Sequence, residues 1–356
     1  MLLISLLLAI LLERFLPAPF GVVDDFLCNV LTVIKNKLNS GENSSAIASW
    51  FAVTFLLGTI CWSIWALLSM VHPILSIFFS ILVLYLSFGF SNFMNKFTTI
   101  QNCLKNNQLE DARKHLYEWA VFVGSDQVIL ETAKSGDISS VSRETIRLAI
   151  LAAQRNLFGV IFWYVVLPGP IGPVIYRVSV QAMRSWNKEV KHEPTADDHT
   201  PTTDDAIKNQ EELETDPNSI KQPDFFANIS IKGFFWLDWV SSRVTAFIFA
   251  IVGNFEDSIQ MIRARSAIVS KQGYDSERIL LSAGEGAMTL RLTIPVAPSG
   301  SDEFDKITSS DYVVPELKET DENSLKIAGG LIWRSLFLWF FIMVLVTLGY
   351  LSNLLN

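Results

Sequence analysis

The chain has 356 residues, half of them hydrophobic, with 25 Phe, 10 Trp and a net charge of −8. No basic patch with interleaved aromatics exists, which excludes an ordinary nucleic-acid binder. The three cysteines, Cys28, Cys61 and Cys103, and the four histidines are dispersed, without a CxxC pair or zinc spacing, which argues against a metal centre.

Residues 1–20 are apolar except for Glu13 and Arg14, and no positive side chain precedes them. That pattern suits an anchor or first helix better than a signal peptide. Between Glu42 and Lys96 lie 53 residues without a fixed charge. About 20 apolar residues cross a hydrocarbon layer of roughly 30 Å, so this window holds two spans. His72-Pro73 is the natural turn between them.

Two amphipathic helices follow. "QLEDARKHLYEWA" carries Leu109, Ala112, Leu116 and Ala120 at helical spacing, and "SRETIRLAILAAQRN" carries Ile146, Ala149, Ile150 and Ala153 on one face. Ser142 is a candidate cap for the second. Both are expected in the cytoplasm, packed together or lying on the membrane.

Residues 155–177, "RNLFGVIFWYVVLPGPIGPVIYR", place 21 uncharged residues between two arginines, yet interrupt them with "PGPIGP". Proline and glycine at bilayer depth free backbone groups that protein or water must satisfy. One reading is a broken helix that lines a pocket and turns Arg177 toward an anion. The other is a kink or boundary turn, with Arg177 reaching to the interface. Residues 193–217 hold nine acidic residues and one Lys, and read as a disordered linker. The linker lies outside the cell if 155–177 crosses.

Residues 234–255 form a further span, interrupted by Asp238 and Arg243. Each of these needs a partner on another helix or a place at the headgroup boundary. At its end, Asn254, Glu256 and Asp257 either cap a new helix or, with Arg243, form a polar patch able to meet a ligand. "AGEGAM", residues 283–288, reads as a plain loop or, more weakly, as a tight glycine turn near a ligand. Residues 331–351 are the final span. Lysines and arginines after the first pair of spans and after residue 254 assign both regions to the cytoplasm, together with residues 18–45.

The fold class is therefore all-α: a polytopic helical membrane protein with about five or six hydrophobic segments and cytoplasmic amphipathic helices. The expected division is membrane helices over 1–95, a cytoplasmic helical loop over 96–154 and a broken membrane helix over 155–188. The linker over 189–224, a membrane helix over 225–254, a cytoplasmic region over 255–330 and a final membrane helix over 331–356 complete it. The one partner read from composition is the lipid bilayer.

"RNLFGVIFWYVVLPGPIGPVIYR", "DWVSSRVTAFIFAIVGNFEDSI" and "ILLSAGEGAMTLRL" occur here in the order in which similar stretches occur in the CobD/CbiB family of cobalamin biosynthesis. That superfamily includes AmpE-type inner-membrane proteins. "NNQLEDARKHL" resembles the stretch ahead of the family's central motif. The resemblance runs from about residue 6 to 351, with the acidic linker as an insertion. It implies a multi-pass protein of the bacterial inner membrane and an amide-forming step joining an aminopropanol unit to adenosylcobyric acid, with a corrinoid or nucleotide ligand. Phe162, Trp163, Gly169, Gly172, Tyr176 and Arg177 match the family pattern. Where Gly159 matches a glycine of that pattern, Phe158 replaces an aspartate, and Gln154 and Ile150 replace two glutamates. Val180 and Met183 stand in place of a downstream Asn and Asp. These losses remove the hard oxygen ligands that magnesium phosphate needs, and the chain resembles the AmpE-like branch more than a competent synthase. The candidate ligand-binding residues are Trp163, Gly169, Gly172, Tyr176, Arg177, Arg243, Asn254, Glu256 and Asp257. No catalytic residue, cofactor or protein partner is assigned.

Overall fold

Apolar side chains without charge for tens of residues can satisfy their backbone only as helices when water is absent, and helices are what form. The structure, a computed structural model, describes residues 2–16, 20–38, 43–125, 127–191, 225–267, 275–292 and 315–355. Among these the regular elements are helical, apart from an isolated bridge between Leu290 and Lys318. In chain order they are α1 (Leu2–Phe15), α2 (Phe20–Leu38), α3 (Asn43–Val71), α4 (Pro73–Ser87), α5 (Phe90–Lys105), α6 (Leu109–Val123), α7 (Gln127–Ser135) and α8 (Ile138–Ala153). A π-turn (Gln154–Phe158), α9 (Gly159–Val166), α10 (Ile171–Lys191), α11 (Phe225–Val252), α12 (Phe255–Ala267), α13 (Asp275–Met288) and α14 (Ser324–Leu355) follow.

Among the described residues five stretches are long and apolar enough to cross a bilayer: Ser44–Val71, Pro73–Lys105, Ile138–Val166, Phe225–Val252 and Ser324–Gly349. The protein is an all-α, multi-pass membrane protein. Phe51, Phe55 and Leu67 on α3, Phe78 on α4, and Phe337, Phe341 and Val346 on α14 are exposed, as surfaces that face lipid are. Helix α1 has 14 residues, about 21 Å at 1.5 Å per residue. It is too short to cross alone.

Local chemistry sets the helix ends. His72 caps α4, its Nδ1 accepting from Ile74 N at 3.2 Å, with Pro73 in the first turn, where its missing N–H costs nothing. Gly124 closes α6 at φ 73°, the left-handed conformation that suits glycine. Asp137, not Ser142, caps α8: its carboxylate accepts from Ser140 N at 2.9 Å. That bond and the Ser140 hydroxyl hold the Asp137 carboxyl below the usual aspartate range. Ser142 is buried one turn inside.

Three further expectations are corrected. Of the alternatives open to the segment 142–156, packing against the first amphipathic helix is the one observed, but the helix does not stop at 154: α8 runs through the π-turn into α9 as one stretch long and apolar enough to cross a bilayer. "AGEGAM" is not a loop. It is the end of α13, and Gly286 lets the α12 backbone pass so closely that a Cβ there would overlap the Ser258 backbone. The final helix begins at Ser324, earlier than residue 331, because Asp321 caps it through Ser324 N (2.8 Å) and Ser324 Oγ (2.6 Å).

Residues 155–177 do not cross the membrane as one span. Gly169 takes φ +67°, and the chain reverses there. Gly159 then packs on Tyr176, and Gly172 on the Trp163 backbone. As the number rises on α9 it falls on α10, so the two helices form an antiparallel hairpin. Arg177 returns to the level of Asn156, with which it bonds at 2.9 Å. Pro173 sits in the first turn of α10, where no N–H is needed.

The far end of α10 can be located from its neighbours. Helices α3 and α4 join at His72, so Trp50 and Phe90 lie at one end of that pair, the end from which α5 carries Lys96 and Lys105. This is the end that the distribution of basic residues leads one to expect in the cytoplasm. Trp186 packs on Phe226 with ring centroids 5.1 Å apart, in one cluster with Leu31 and Trp50. The condition that placed the linker outside therefore fails: α10 ends and α11 begins at the Trp50 end. The linker itself lies outside the described residues.

Candidate functional site

The π-turn concentrates the polar residues of the hydrophobic interior. A turn with one extra residue shifts the helical register, and here Gln154, Arg155, Asn156, Leu157 and Phe158 are all buried. Three consecutive polar side chains so enclosed must each find a partner.

Each does, on a different helix. Gln154 Nε2 donates to Asp238 Oδ1 at 2.8 Å. Tyr176 OH donates to the same oxygen at 2.9 Å, and Ser241 Oγ lies 3.0 Å from it. The carboxylate of Asp238, 4% exposed, is thus held by three donors from the π-turn, α10 and its own helix. Arg155 pairs with Glu277 of α13 and lies over the Phe234 ring at 5.8 Å. Asn156 Oδ1 accepts from Arg177 Nη1, while Arg177 Nη2 bonds Asp24 of α2 at 2.5 Å. Of the alternatives open to Asp238, the buried polar site is the one observed.

The hairpin gathers part of the expected residue set. Tyr176 and Arg177 sit side by side in this network. Trp163 is tied to it from α9, its Nε1 donating to the carbonyl of Leu237 at 3.2 Å. Gly172 permits the α9–α10 contact. Gly169 serves the turn, where a Cβ would come within 2.9 Å of the Trp65 ring. That turn, with Val165, Pro168, Trp65, Ser80 and Tyr164, lines a cavity of about 410 Å³. The Pro-Gly run therefore does line a pocket, but Arg177 faces Asp24 rather than an anion in it.

The other expected residues are not part of this network. Arg243 stacks on Trp239, 3.9 Å from the ring centroid, and its Nη1 donates to the Trp239 carbonyl. Asn254 behaves as a cap for α12: its Oδ1 accepts from Asp257 N at 3.3 Å, and its Nδ2 donates to Asp257 Oδ2 at 2.6 Å. Glu256 accepts from Gln260 one turn on. Neither this corner nor Arg177 lines the cavity under the turn.

Sequence reasoning missed Asp24, Asn156, Glu277 and the role of Gln154. It also missed two buried carboxylates, Glu144 and Glu285. Glu144 takes Arg143 at 3.3 Å and Arg147 at 2.8 Å, and Glu285 takes Arg265 at 2.6 Å and Leu292 N at 2.8 Å. The available signal was a polar residue inside an apolar run, such as Gln154 after "LAILAA". Among the described residues no group of three His, Cys, Asp or Glu could hold a metal ion. Comparison of the chain with protein-family models, with curated proteins and with solved structures gives no match.

Proposed function

We propose that the protein is a non-catalytic sensor or regulatory protein of the bacterial inner membrane, of the kind that its resemblance to the AmpE-like branch implies. The observation that carries this reading is the bond from Gln154 to Asp238. At a position where the resemblance calls for a glutamate, the chain has an amide, and that amide donates to the neighbouring carboxylate. Two carboxylates side by side would attract a divalent cation and its phosphate. Here the Asp238 Oδ1 already takes Gln154, Tyr176 and Ser241 from within the fold. Arg177, in turn, is neutralised by Asp24 within the fold.

A second reading, an enzyme or accessory of cobalamin assembly, draws support from the cavity of about 410 Å³ under the Pro-Gly turn. That volume lies at the lower end of the range for small-molecule sites. Expression in a strain lacking its cobinamide-forming synthase separates the two. The first reading expects no growth on the precursor, with the protein present in the membrane. Growth rescue, lost again in a Tyr176→Phe variant, would overturn it.

A further inference from the structure

Arg184, on α10, is 8% exposed, and its Nε has no hydrogen-bond partner. Among the described residues no carboxylate forms an ion pair with it. Two charges of its own sign, Arg177 and Arg155, act on it, and Asp24, which acts in the opposite sense, is already bonded to Arg177. A guanidinium does not shed its proton to escape burial. An uncompensated buried cation is costly, and the described residues do not supply the compensating charge.

The surroundings of Arg184 are those of an anion site. It lines a small cavity between α5, α6 and the π-turn, together with Lys96, Asn92, Asn156, Trp119 and Phe122. No acidic residue lines it. Lys96 is held over the Phe122 ring, 4.0 Å from the centroid; Glu118 is the acidic group near it. Asn156 spends its oxygen on Arg177, which leaves its Nδ2 donor as the group it offers. The cavity of about 10 Å³ has room for a single water-sized atom. A planar guanidinium fork beside a point-like ammonium suits an oxyanion with one oxygen inside and the rest in the mouth.

We propose that this cavity binds a phosphate group, which sets an oxygen between Arg184 and Lys96. The site stands independently of the functional reading above. Gly89, at the junction between α4 and α5, lines it, at the end of the α3–α4 pair from which α5 carries Lys96 and Lys105, so the phosphate group is that of a lipid headgroup or of a soluble phosphate.

The test uses the purified full-length protein in neutral detergent, titrated with sodium phosphate against sodium chloride at constant ionic strength. Phosphate should raise the melting temperature saturably, and chloride should not. Lys96→Gln should weaken apparent affinity on the order of tenfold, as loss of one charge-assisted contact does, and Arg184→Gln should abolish the response. Lys96 is only half buried, so its variant keeps the test open if Arg184→Gln fails to fold. Nanodiscs then separate the two sources. If phosphatidylglycerol stabilises relative to phosphatidylcholine and makes added phosphate ineffective, the group is a lipid headgroup. If added phosphate acts equally in both, it is soluble. An equal response to chloride, an unsaturable response, or an unchanged response in Lys96→Gln would each overturn the proposal.

Discussion

Helix α3 and the α8–α9 stretch are of nearly equal length and opposite in kind. Ser44–Val71 has 17% of its most apolar window buried, whereas Ile138–Val166 has 67%. The first is apolar all round and turns Phe51, Phe55 and Leu67 outward. The second carries Glu144, Gln154, Arg155 and Asn156, every one buried and bonded. Lipid tails are as apolar as leucine, so apolar character alone gives a helix no reason to prefer the interior. A polar side chain does give that reason, because only the interior offers it a partner. In this protein polarity, not hydrophobicity, marks the central helix.

The sharpest way to break this contrast is topological. If α9–α10 is a returning hairpin, both linker ends lie on the side of Ser140. An impermeant thiol reagent on intact cells should label neither a Thr203→Cys nor a Ser140→Cys variant, and should label both after permeabilisation. Labelling of Thr203→Cys alone in intact cells would restore the crossing span.

The next effect is energetic. Arg177→Met leaves Asp24 buried without its cation, which should cost about 3–5 kcal/mol. Adding Asp24→Leu should return most of that, read as unfolding midpoints in detergent. Additive losses in the double variant would show that the pair is not coupled.

Smaller still is Gly172→Ala. The new methyl would overlap the Trp163 carbonyl, and forcing helices apart costs about 1–3 kcal/mol. Gly330→Ala in α14, where nothing lies within 4 Å, is the matched control and should be neutral or slightly stabilising. Equal melting temperatures for the two variants would mean that the α9–α10 contact is looser than described. At the bottom of the scale, Phe55→Leu on the lipid face of α3 should change stability by less than about 0.5 kcal/mol. A larger loss would reveal a protein contact on that face.

The sequence showed the apolar runs well and the partners badly. The charge-free window after Glu42 declares two spans because nothing else needs one. The His72-Pro73 turn follows from the steric limits of proline. "PGPIGP" is different: a kink, a boundary turn and a returning hairpin all use the same residues, and only the packing of Gly159 on Tyr176 distinguishes them. The amphipathic pattern of 142–156 correctly gave a helix, but a face that packs on protein and a face that lies on a membrane have the same periodicity. The pairing of Arg177 with Asp24 joins residues 153 positions apart, which no local pattern encodes. Even the glycines of "AGEGAM" were misread for a physical reason: small residues that permit a turn also permit close helix packing. For Asn254 the local rule sufficed, because capping is settled within one helical turn.

The contact of Trp186 with Phe226 has a further consequence. It fastens the end of α10 directly to the start of α11, the two helix ends that flank residues 192–224. The entropy of closing a loop grows only with the logarithm of its length. A reporter domain with neighbouring termini, spliced between those two helix ends, should therefore be carried on the clasp and leave the bundle beneath it undisturbed.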